Sequence, residues 1–376
     1  MVHAMVKKGS YHDSVVLMLL TNRLAGIAGV NKISVMMATP ANKEIMRQSG
    51  FATEEVDAAA ANDMVIAADI EDDGLLSSIQ QEIELFFTDQ SNTVHSREQM
   101  HSVRSWEAAR EQCPNANLAV ISIPGMYAAM EAERALDEGM NVFMFSDNVS
   151  LEDEVRLKRK AHGKGLAVMG PDCGTGIIQG VPIAFTNHVR PGRIGIVGAS
   201  GTGIQELTTI IDRMGEGVSN ALGTGGRDLH AQVGGITMLD LIDCMEADDS
   251  VEVLIVLSKP PAKQVREKIN MRLGSFSKPV VSLFMGEKPT MHEQGFFHAY
   301  TLEEAACIAV ALVRGEKPVY PGEIKGVDGF AAEEKKVIKA YYSGGTLAEE
   351  AAMLIRDALH VEKAPEKHEG YLLNLD

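Results

Sequence analysis

The chain is poor in cysteine and tryptophan and has no long apolar run. Its 376 residues include four cysteines and one tryptophan. The cysteines lie far apart without a CxxC pair, which is typical of reduced thiols and predicts no zinc or other metal site. No apolar run reaches the ~18 residues that a membrane span requires. The first residues, MVHAMVKKGSYHD, show no secretory core, so we expect a cytoplasmic protein.

A surplus of basic residues is also missing. The chain has 52 acidic and 35 basic residues, for a net charge of -17. Nucleic acid and anionic membrane surfaces would repel such a protein, so neither is expected as a general partner. A local anion site is not excluded, because helix ends and single cationic side chains act over short distances. The hydrophobic fraction of 45% is ordinary for a globular protein with two or three domains.

Short apolar runs alternate with amphipathic segments along most of the chain. This alternation predicts strands joined by helices, and hence an α/β fold with parallel sheets. Ligands of such sheets bind beyond the carboxyl ends of the strands. We predict an N-terminal α/β domain at 1–110, two further α/β domains at 111–191 and 192–315, and a polar linker with a C-terminal extension at 316–376.

The stretch Gly192 to Glu206, GRIGIVGASGTGIQE, has the strongest local pattern. Its apolar run predicts a buried strand, and the glycines that follow allow a sharp turn into a helix. A helix start offers unpaired N–H groups and the positive end of the dipole, so a phosphoryl group is the expected ligand. The alternative is a tight strand-to-helix turn that binds nothing. The predicted anion-binding residues are Ser200, Gly201, Thr202 and Gly203.

A second glycine-rich segment, GTGGRDLH, spans 223–230. Its glycines, Gly225 and Gly226, allow a ligand to approach the backbone closely. Arg227 can bind an oxyanion with two N–H groups, Asp228 can orient a neighbouring side chain, and His230 can transfer protons. These three are the predicted catalytic residues. The alternative is structural, with Asp228 capping a turn and Arg227 paired to it.

Other predicted strands end in polar or glycine-containing turns. Nucleophilic chemistry at Cys173 would require a depressed pKa and a base, and a packed thiol in a structural turn is the other interpretation. Lys259 follows a strand and could face an anion or remain solvated. His292 and His298 fall in a polar loop, where histidines are usually solvated. The predicted rim of a substrate or cofactor site comprises Pro124, Gly125, Asp172, Cys173 and Lys259.

Long motifs resemble the succinyl-CoA synthetase α-subunit. Residues 117–178 resemble its CoA-binding half, and GRIGIVGASGTGIQE resembles its phosphate-binding helix start. More of the chain resembles the FdrA family, a branch of that superfamily, through HAMVKKGSYHDSVVLM, SVMMATPANKEIM, MGPDCGTGI and SGGTLAEEA. This resemblance implies a CoA-binding-like Rossmann domain at 111–191 and a flavodoxin-type, ligase-like domain at 192–315. FdrA proteins are longer and continue into a further α/β portion.

Two segments differ from the synthetase pattern. Synthetase α-subunits phosphorylate a histidine within Gly-His-Ala-Gly-Ala, whereas Glu293 and Phe296 replace the small residues around His292 here. The N-terminal segment also has Thr39-Pro40-Ala41-Asn42 near the place of the glycine-rich turn that grips CoA. Both departures disfavour a direct transfer of the synthetase chemistry to this chain.

The FdrA resemblance implies a subunit of a carbamoyl-phosphate-using transferase, similar to the oxamate carbamoyltransferase of allantoin and purine breakdown. Phosphate would bind at Ser200–Thr202, Arg227 would stabilise developing charge, and Lys259 would hold the oxamate carboxylate. Alternatives are an ADP- or GDP-forming acyl-CoA synthetase subunit and a non-catalytic CoA- or nucleotide-binding scaffold. No cofactor is assigned, with CoA and a nucleotide as candidates. The expected partners are companion subunits, including the further FdrA portion, and other copies of the chain.

Overall fold

The computed structural model describes residues 2–10, 12, 14–95, 103–288, 295–318 and 340–358. The chain divides into two compact units, residues 1–102 and 103–376. No helix among the described residues is long and apolar enough to cross a membrane.

The first unit combines a three-stranded sheet with four helices among its described residues. Its elements are β1 (Val2–Lys7), α1 (Ser14–Ala25), β2 (Val30–Met37), α2 (Pro40–Gln48), α3 (Glu54–Ala58), β3 (Met64–Ile70) and α4 (Leu75–His95). The strand order is β1-β3-β2, with both pairs antiparallel. The expected parallel sheet is therefore wrong for this unit. The crossover through α1 leaves a gap between β1 and β2, and β3 fills that gap in the opposite direction.

Strand β3 is buried on both faces because helices cover each side of the sheet. Ile66 and Ala68 pack in one cluster with apolar residues of α1 and α4. Val65 and Ala67 alternate with them and pack against residues of α2 and α3. The period-2 alternation of a strand thus divides one apolar run between two small cores.

The second unit begins with a small parallel sheet. Its elements are α5 (Trp106–Gln112), β4 (Leu118–Ile121), α6 (Gly125–Asp137), β5 (Asn141–Met144), α7 (Leu151–Gly163) and β6 (Val168–Met169), with strand order β4-β5-β6. Helix α5 lies at the predicted boundary of 110. It packs in this unit, where the Trp106 indole donates a 2.7 Å hydrogen bond to Glu131 of α6.

A seven-stranded sheet follows. Its strands are β7 (Thr175–Ile178), β8 (Val181–Ala184), β9 (Ile194–Gly198), β10 (Val218–Gly223), β11 (Val253–Ser258), β12 (Val280–Phe284) and β13 (Phe296–His298). The order is β13-β12-β11-β9-β10-β7-β8. The five strands from β13 to β10 are parallel, as predicted, whereas the hairpin β7–β8 pairs antiparallel with β10. The hairpin precedes the predicted boundary at 191 but belongs to this larger sheet.

Helices cover both faces of this sheet. They are α8 (Gly201–Arg213), α9 (Ile236–Ala247), α10 (Lys263–Gly274), α11 (Leu302–Val313) and α12 (Gly345–Ala358). Apolar residues of α8 and α11 form one core and those of α9 and α10 form the other. Because β9, β11 and β12 are parallel neighbours, their carboxyl ends at Gly198, Ser258 and Phe284 lie along one edge. The turns that leave this edge carry most of the predicted site residues.

Two neighbouring leucines of α1 test the core of the first unit. Leu20 is fully buried, whereas Leu19 is 47% exposed. We expect Leu20→Ala to lower the free energy of unfolding by about 2–5 kcal/mol, because it removes buried methyl groups and leaves a cavity. Leu19→Ala is the matched control and should change it by less than about 1 kcal/mol. Urea denaturation followed by circular dichroism gives both values, and equal effects would contradict the assigned helix face.

Candidate functional site

The start of α8 has the geometry of an anion-binding helix terminus. Ser200 is the N-cap, and its hydroxyl accepts a 3.1 Å hydrogen bond from the Gly203 amide. Within the described part of the chain, the amides of Gly201 and Thr202 have no protein acceptor. A Cβ on Gly203 would lie 2.5 Å from Leu257 Cδ2, so a larger residue there would require the Leu257 side chain to move. The predicted strand–turn–helix is thus present, with two N–H groups unpaired.

The first turn of α12 covers this helix start. Thr346, which is 2% exposed, shares a 2.5 Å hydrogen bond between its hydroxyl and that of Ser200. A Cβ on Gly344 would lie 2.4 Å from the Thr202 side chain. The predicted anion-binding helix start therefore lies at a junction of two helix N-termini, one from α8 and one from α12. One local signal pointed to this second helix, the SGGT segment at 343–346 before an apolar helix.

Arg227 does not reach the start of α8. Its Nε forms a 2.9 Å ion pair with Glu154 of α7, and its Nη2 donates a 2.8 Å hydrogen bond to the Val149 carbonyl. The guanidinium therefore binds groups in the first turn of α7 and just before that helix. This placement corrects the prediction that Arg227 stabilises charge at the phosphate site.

Asp228 belongs to a buried ion-pair cluster centred on Lys158. Lys158 Nζ lies 2.8 Å from Asp228 Oδ1 and 3.0 Å from Glu154 Oε1, and all three side chains are no more than 1% exposed. The same ammonium donates to the Thr224 carbonyl at 2.9 Å. Asp228 also accepts hydrogen bonds from the amides of residues 237 and 238 at the start of α9. This fully bonded carboxylate has no access to solvent, which corrects its predicted catalytic role to a structural one.

The other residues of the glycine-rich loop fall in two environments. Gly225 has a φ of +83°, and a Cβ there would lie 2.5 Å from the Pro171 carbonyl oxygen, so glycine is required. Gly226 and His230 are exposed. The loop leaves the sheet beside β9, where the Thr224 amide donates to Gly198. Its backbone therefore lies near the α8 start, while its charged side chains point toward α7 and α9.

Two predicted rim residues lie at the carboxyl edge of the small sheet. A Cβ on Gly125, the first residue of α6, would lie 2.0 Å from the Asp147 carbonyl oxygen, so the turn at Pro124–Gly125 packs directly on the loop after β5. Ser146 of that loop accepts a 3.0 Å hydrogen bond from the Ile123 amide. The turn after β4 and the loop after β5 thus meet at this edge.

Asp172 and Cys173 face opposite environments although they are adjacent. Asp172 is exposed, with a φ of 58°. Cys173 is 3% exposed, and its thiol contacts the carbonyl oxygens of Gly223 and Thr175. Burial raises the pKa of the Cys173 thiol to about 12. The prediction of Cys173 as a rim residue is therefore corrected to an interior position between the two sheets.

Lys259 and the two loop histidines complete the predicted set. Lys259 is exposed directly after β11. Since Leu257 pairs with Gly198, Lys259 lies close to the turn that leads into α8. His292 lies outside the described residues. His298, predicted to be a solvated loop residue, instead lies in β13, where its Nδ1 is 2.8 Å from the Ser282 hydroxyl. No local pattern predicts this contact, because Ser282 lies inside an apolar strand.

The buried cluster generates a stability prediction. Lys158→Met should lower the free energy of unfolding by about 3–5 kcal/mol, because it leaves two carboxylates buried beside each other. Lys160 lies on the same helix and pairs with Glu133 and Asp137 at the surface. Lys160→Met is the matched control and should cost less than about 1 kcal/mol. Urea titration measures both variants, and similar costs would contradict a special role of the buried pair.

The position of Cys173 generates a reactivity prediction. At pH 8 its thiol stays protonated and shielded, since its pKa is about 12, and only the thiolate reacts as a nucleophile. Iodoacetamide should modify the exposed Cys113 and leave Cys173 unmodified. Peptide mass spectrometry of the native protein measures the difference, with urea-unfolded protein as the control in which both react. Alkylation of Cys173 at the rate of Cys113 would show that the site is open.

Two family models match the chain. Residues 1–103 match one described as "AllF, heavy metal-associated domain", and residues 189–286 match the CoA binding domain. The second match covers much of the large sheet, whereas the sequence analysis placed the CoA-binding-like domain at 111–191. The chain thus carries a CoA-binding domain of the type found in succinyl-CoA synthetase α-subunits.

The first match raises the question of a metal ion. Residues 1–103 contain no cysteine, and soft heavy metals are held chiefly by thiolates. In the parts of the chain that the structure describes, no group of three His, Cys, Asp or Glu side chains could hold a metal ion. The residues present do not fit a thiolate metal site, and we assign no metal to this unit.

Relatives place the chain in a family. YahF of Escherichia coli (strain K12), an FdrA-family protein, is 40% identical over 364 residues, which are 95% of this chain and 70% of YahF. Succinate–CoA ligase [ADP-forming] subunit alpha 2 of Archaeoglobus fulgidus is 26% identical over 184 residues, which are 48% of this chain and 62% of that subunit. Among solved structures, the ATP citrate lyase of Methanothrix soehngenii in complex with citrate and coenzyme A matches with a TM-score of 0.47 and 18% identity, covering 58% of this chain and 44% of that one. The chain belongs to the FdrA family, within the superfamily of succinyl-CoA synthetase α-like proteins.

Proposed function

We propose that the chain is a subunit of a carbamoyl-phosphate-using transferase and that it holds the phosphoryl group at the junction of α8 and α12. The observation that supports this is the meeting of two helix N-termini at the Ser200–Thr346 hydrogen bond. Oxamate is the proposed acceptor, and companion subunits complete the enzyme. At the level of the family, the matched domain indicates CoA binding.

The electrostatics of the junction favour an anion. Each helix start carries a partial positive charge of about half an elementary charge, and two such ends repel each other. The first turn of α8 contains no acidic residue, and neither does that of α12. An anion bound beside the unpaired amides of Gly201 and Thr202 would offset this repulsion and satisfy both donors.

The chemistry requires a phosphate site and little else from this surface. The amide nitrogen of oxamate attacks the carbonyl carbon of carbamoyl phosphate, the carbon–oxygen bond to phosphate breaks, and the nitrogen loses a proton. The helix amides stabilise the departing phosphate as its charge increases. Lys259, which lies close to the same turn, would supply a positive charge for this step in place of Arg227, which is bound to α7. In the reverse direction, phosphate attacks oxalurate.

Transfer activity tests the proposal. The chain with its companion subunits, carbamoyl phosphate and oxamate should produce oxalurate and inorganic phosphate. We expect Thr346→Val and Lys259→Met each to lower kcat/KM at least about tenfold, since they remove a polar group at the phosphate. Lys268→Met is the matched control, because Lys268 is exposed on α10 away from the junction. Oxalurate formation no faster than the uncatalysed background would show that the proposed reaction is wrong.

A second function has its own supporting observation. The match to a CoA-binding domain favours a subunit of an ADP- or GDP-forming acyl-CoA synthetase. CoA would supply a thiol that accepts an acyl group.

Two measurements separate this function from the first. Labelled ATP should leave acid-labile, base-stable phosphate on His230 or His292 if the chain is a synthetase subunit. CoA affinity measured by titration, with no turnover in any assembly, would instead indicate a non-catalytic scaffold. Neither result is expected from the carbamoyltransferase.

A further inference from the structure

Strand β1 forms one edge of the sheet in the first unit. All six of its residues pair with β3 in one uninterrupted antiparallel register, from Val2 opposite Asp69 to Lys7 opposite Met64. Successive residues of a paired strand direct their N–H and C=O groups to alternate sides, so half of these groups point away from β3. Within the described residues, no strand and no backbone hydrogen bond reaches that outer side of β1.

The opposite edge of this sheet, β2, differs from β1. Its register with β3 shifts between Val30 and Lys32. Asn31 and Lys32 are exposed there, and the Lys32 ammonium lies 5.3 Å from the centroid of the Phe51 ring. Irregular registers and exposed lysines are features by which natural edge strands avoid pairing with another chain. Residues 2–6 of β1, VHAMV, contain no lysine or proline and pair without a bulge, so this edge can accept a further strand.

The two ends of β1 lie in regions of opposite charge. At its beginning, Nε2 of His3 lies 2.9 Å from the Asp73 carboxylate, and Asp73 belongs to the exposed acidic run at 71–73 that follows β3. At its end, Lys7 is followed by the exposed Lys8. An antiparallel copy of β1 would set each basic end beside an acidic end, whereas a parallel copy would align like charges. The charges thus favour a second copy of the chain in antiparallel orientation.

Symmetry limits which residues can oppose each other. A two-fold axis perpendicular to the sheet keeps each face on its own side, so odd-numbered residues oppose only odd-numbered ones. With Met5 opposite Met5, His3 lies opposite Lys7 of the second copy, which brings that ammonium toward Asp73. Centring on Ala4 would instead place His3 opposite Met5. Because Met5 packs against the core formed with α1 and α4, the paired methionines would also extend this core from one copy to the other.

We propose that β1 is a dimerisation edge and pairs antiparallel with β1 of a second copy about a two-fold axis at Met5. The two three-stranded sheets then form one continuous sheet with the order β2-β3-β1-β1-β3-β2. Backbone hydrogen bonds hold the two strands together, and attraction between Lys7 and Asp73 of opposite copies fixes their direction and register. This interface concerns the first unit and is independent of the phosphate site and of the reaction proposed there.

Sedimentation velocity of the full chain over a range of concentrations tests for the dimer. Lys7→Glu should raise its Kd about tenfold, because two symmetric attractions become repulsions. Asp73→Lys should weaken the dimer similarly, since it sets a second cation against Lys7. The double variant Lys7→Glu/Asp73→Lys restores opposite charges between the copies and should recover most of the lost affinity. Thermal melts of each variant establish that it is folded.

The same charge reversal on the opposite edge is the matched control. Lys32→Glu changes an exposed lysine of β2 and should leave the Kd of the dimer unchanged. Hydrogen exchange read by mass spectrometry locates the interface, because amides of β1 should exchange more slowly in the dimer and those of β2 should not change. The proposal is overturned if the chain stays monomeric at every concentration, if Lys32→Glu weakens the dimer as much as Lys7→Glu, if the double variant is no tighter than the single ones, or if exchange in β1 is unaltered by dimerisation.

Discussion

The buried ammonium of Lys158 is the interaction on which the arrangement of the second unit depends. It joins α7 of the small sheet to the glycine-rich loop of the large sheet through Glu154 and Asp228. Taking these charges out of water is costly, so each one must remain paired for the fold to persist. The loop is therefore fixed in one conformation, and with it the start of α9.

This cluster explains why the predicted catalytic role of Arg227 and Asp228 was wrong. Arg227 and Asp228 lie beyond a strand end, where ligands of α/β proteins usually bind. Their partners, Glu154 and Lys158, lie about 70 residues earlier in an amphipathic helix, and nothing local identifies that pairing. Local patterns did identify the strand–turn–helix at Ser200, because glycines and an N-cap serine act within a few residues. Local patterns do not predict contacts between segments that are distant in the sequence.

The same distinction applies to the fold. Short apolar runs separated by amphipathic segments correctly predicted the parallel strands from β9 to β12. A strand that is buried on both faces consists of consecutive apolar residues, and such a run is visible in the sequence. The direction of β3 and the pairing of the β7–β8 hairpin depend on which gaps the neighbouring strands leave open. The pairing of β13 with β12 shows the limit most clearly. Ser282 and His298 are 16 residues apart and meet only because β13 pairs in register with β12.

The hydrogen bond between Ser200 and Thr346 spans 146 residues. Its two helices belong to segments that are distant in the sequence, so a site formed by both helix starts exists only when α12 is docked. Any ligand held by both ends must bind the docked form preferentially and will stabilise it by mass action, by RT ln(1 + [L]/Kd) for a single site. For such a ligand, occupancy of the junction and docking of the C-terminal helix would be linked equilibria, and a higher ligand concentration would favour the docked helix.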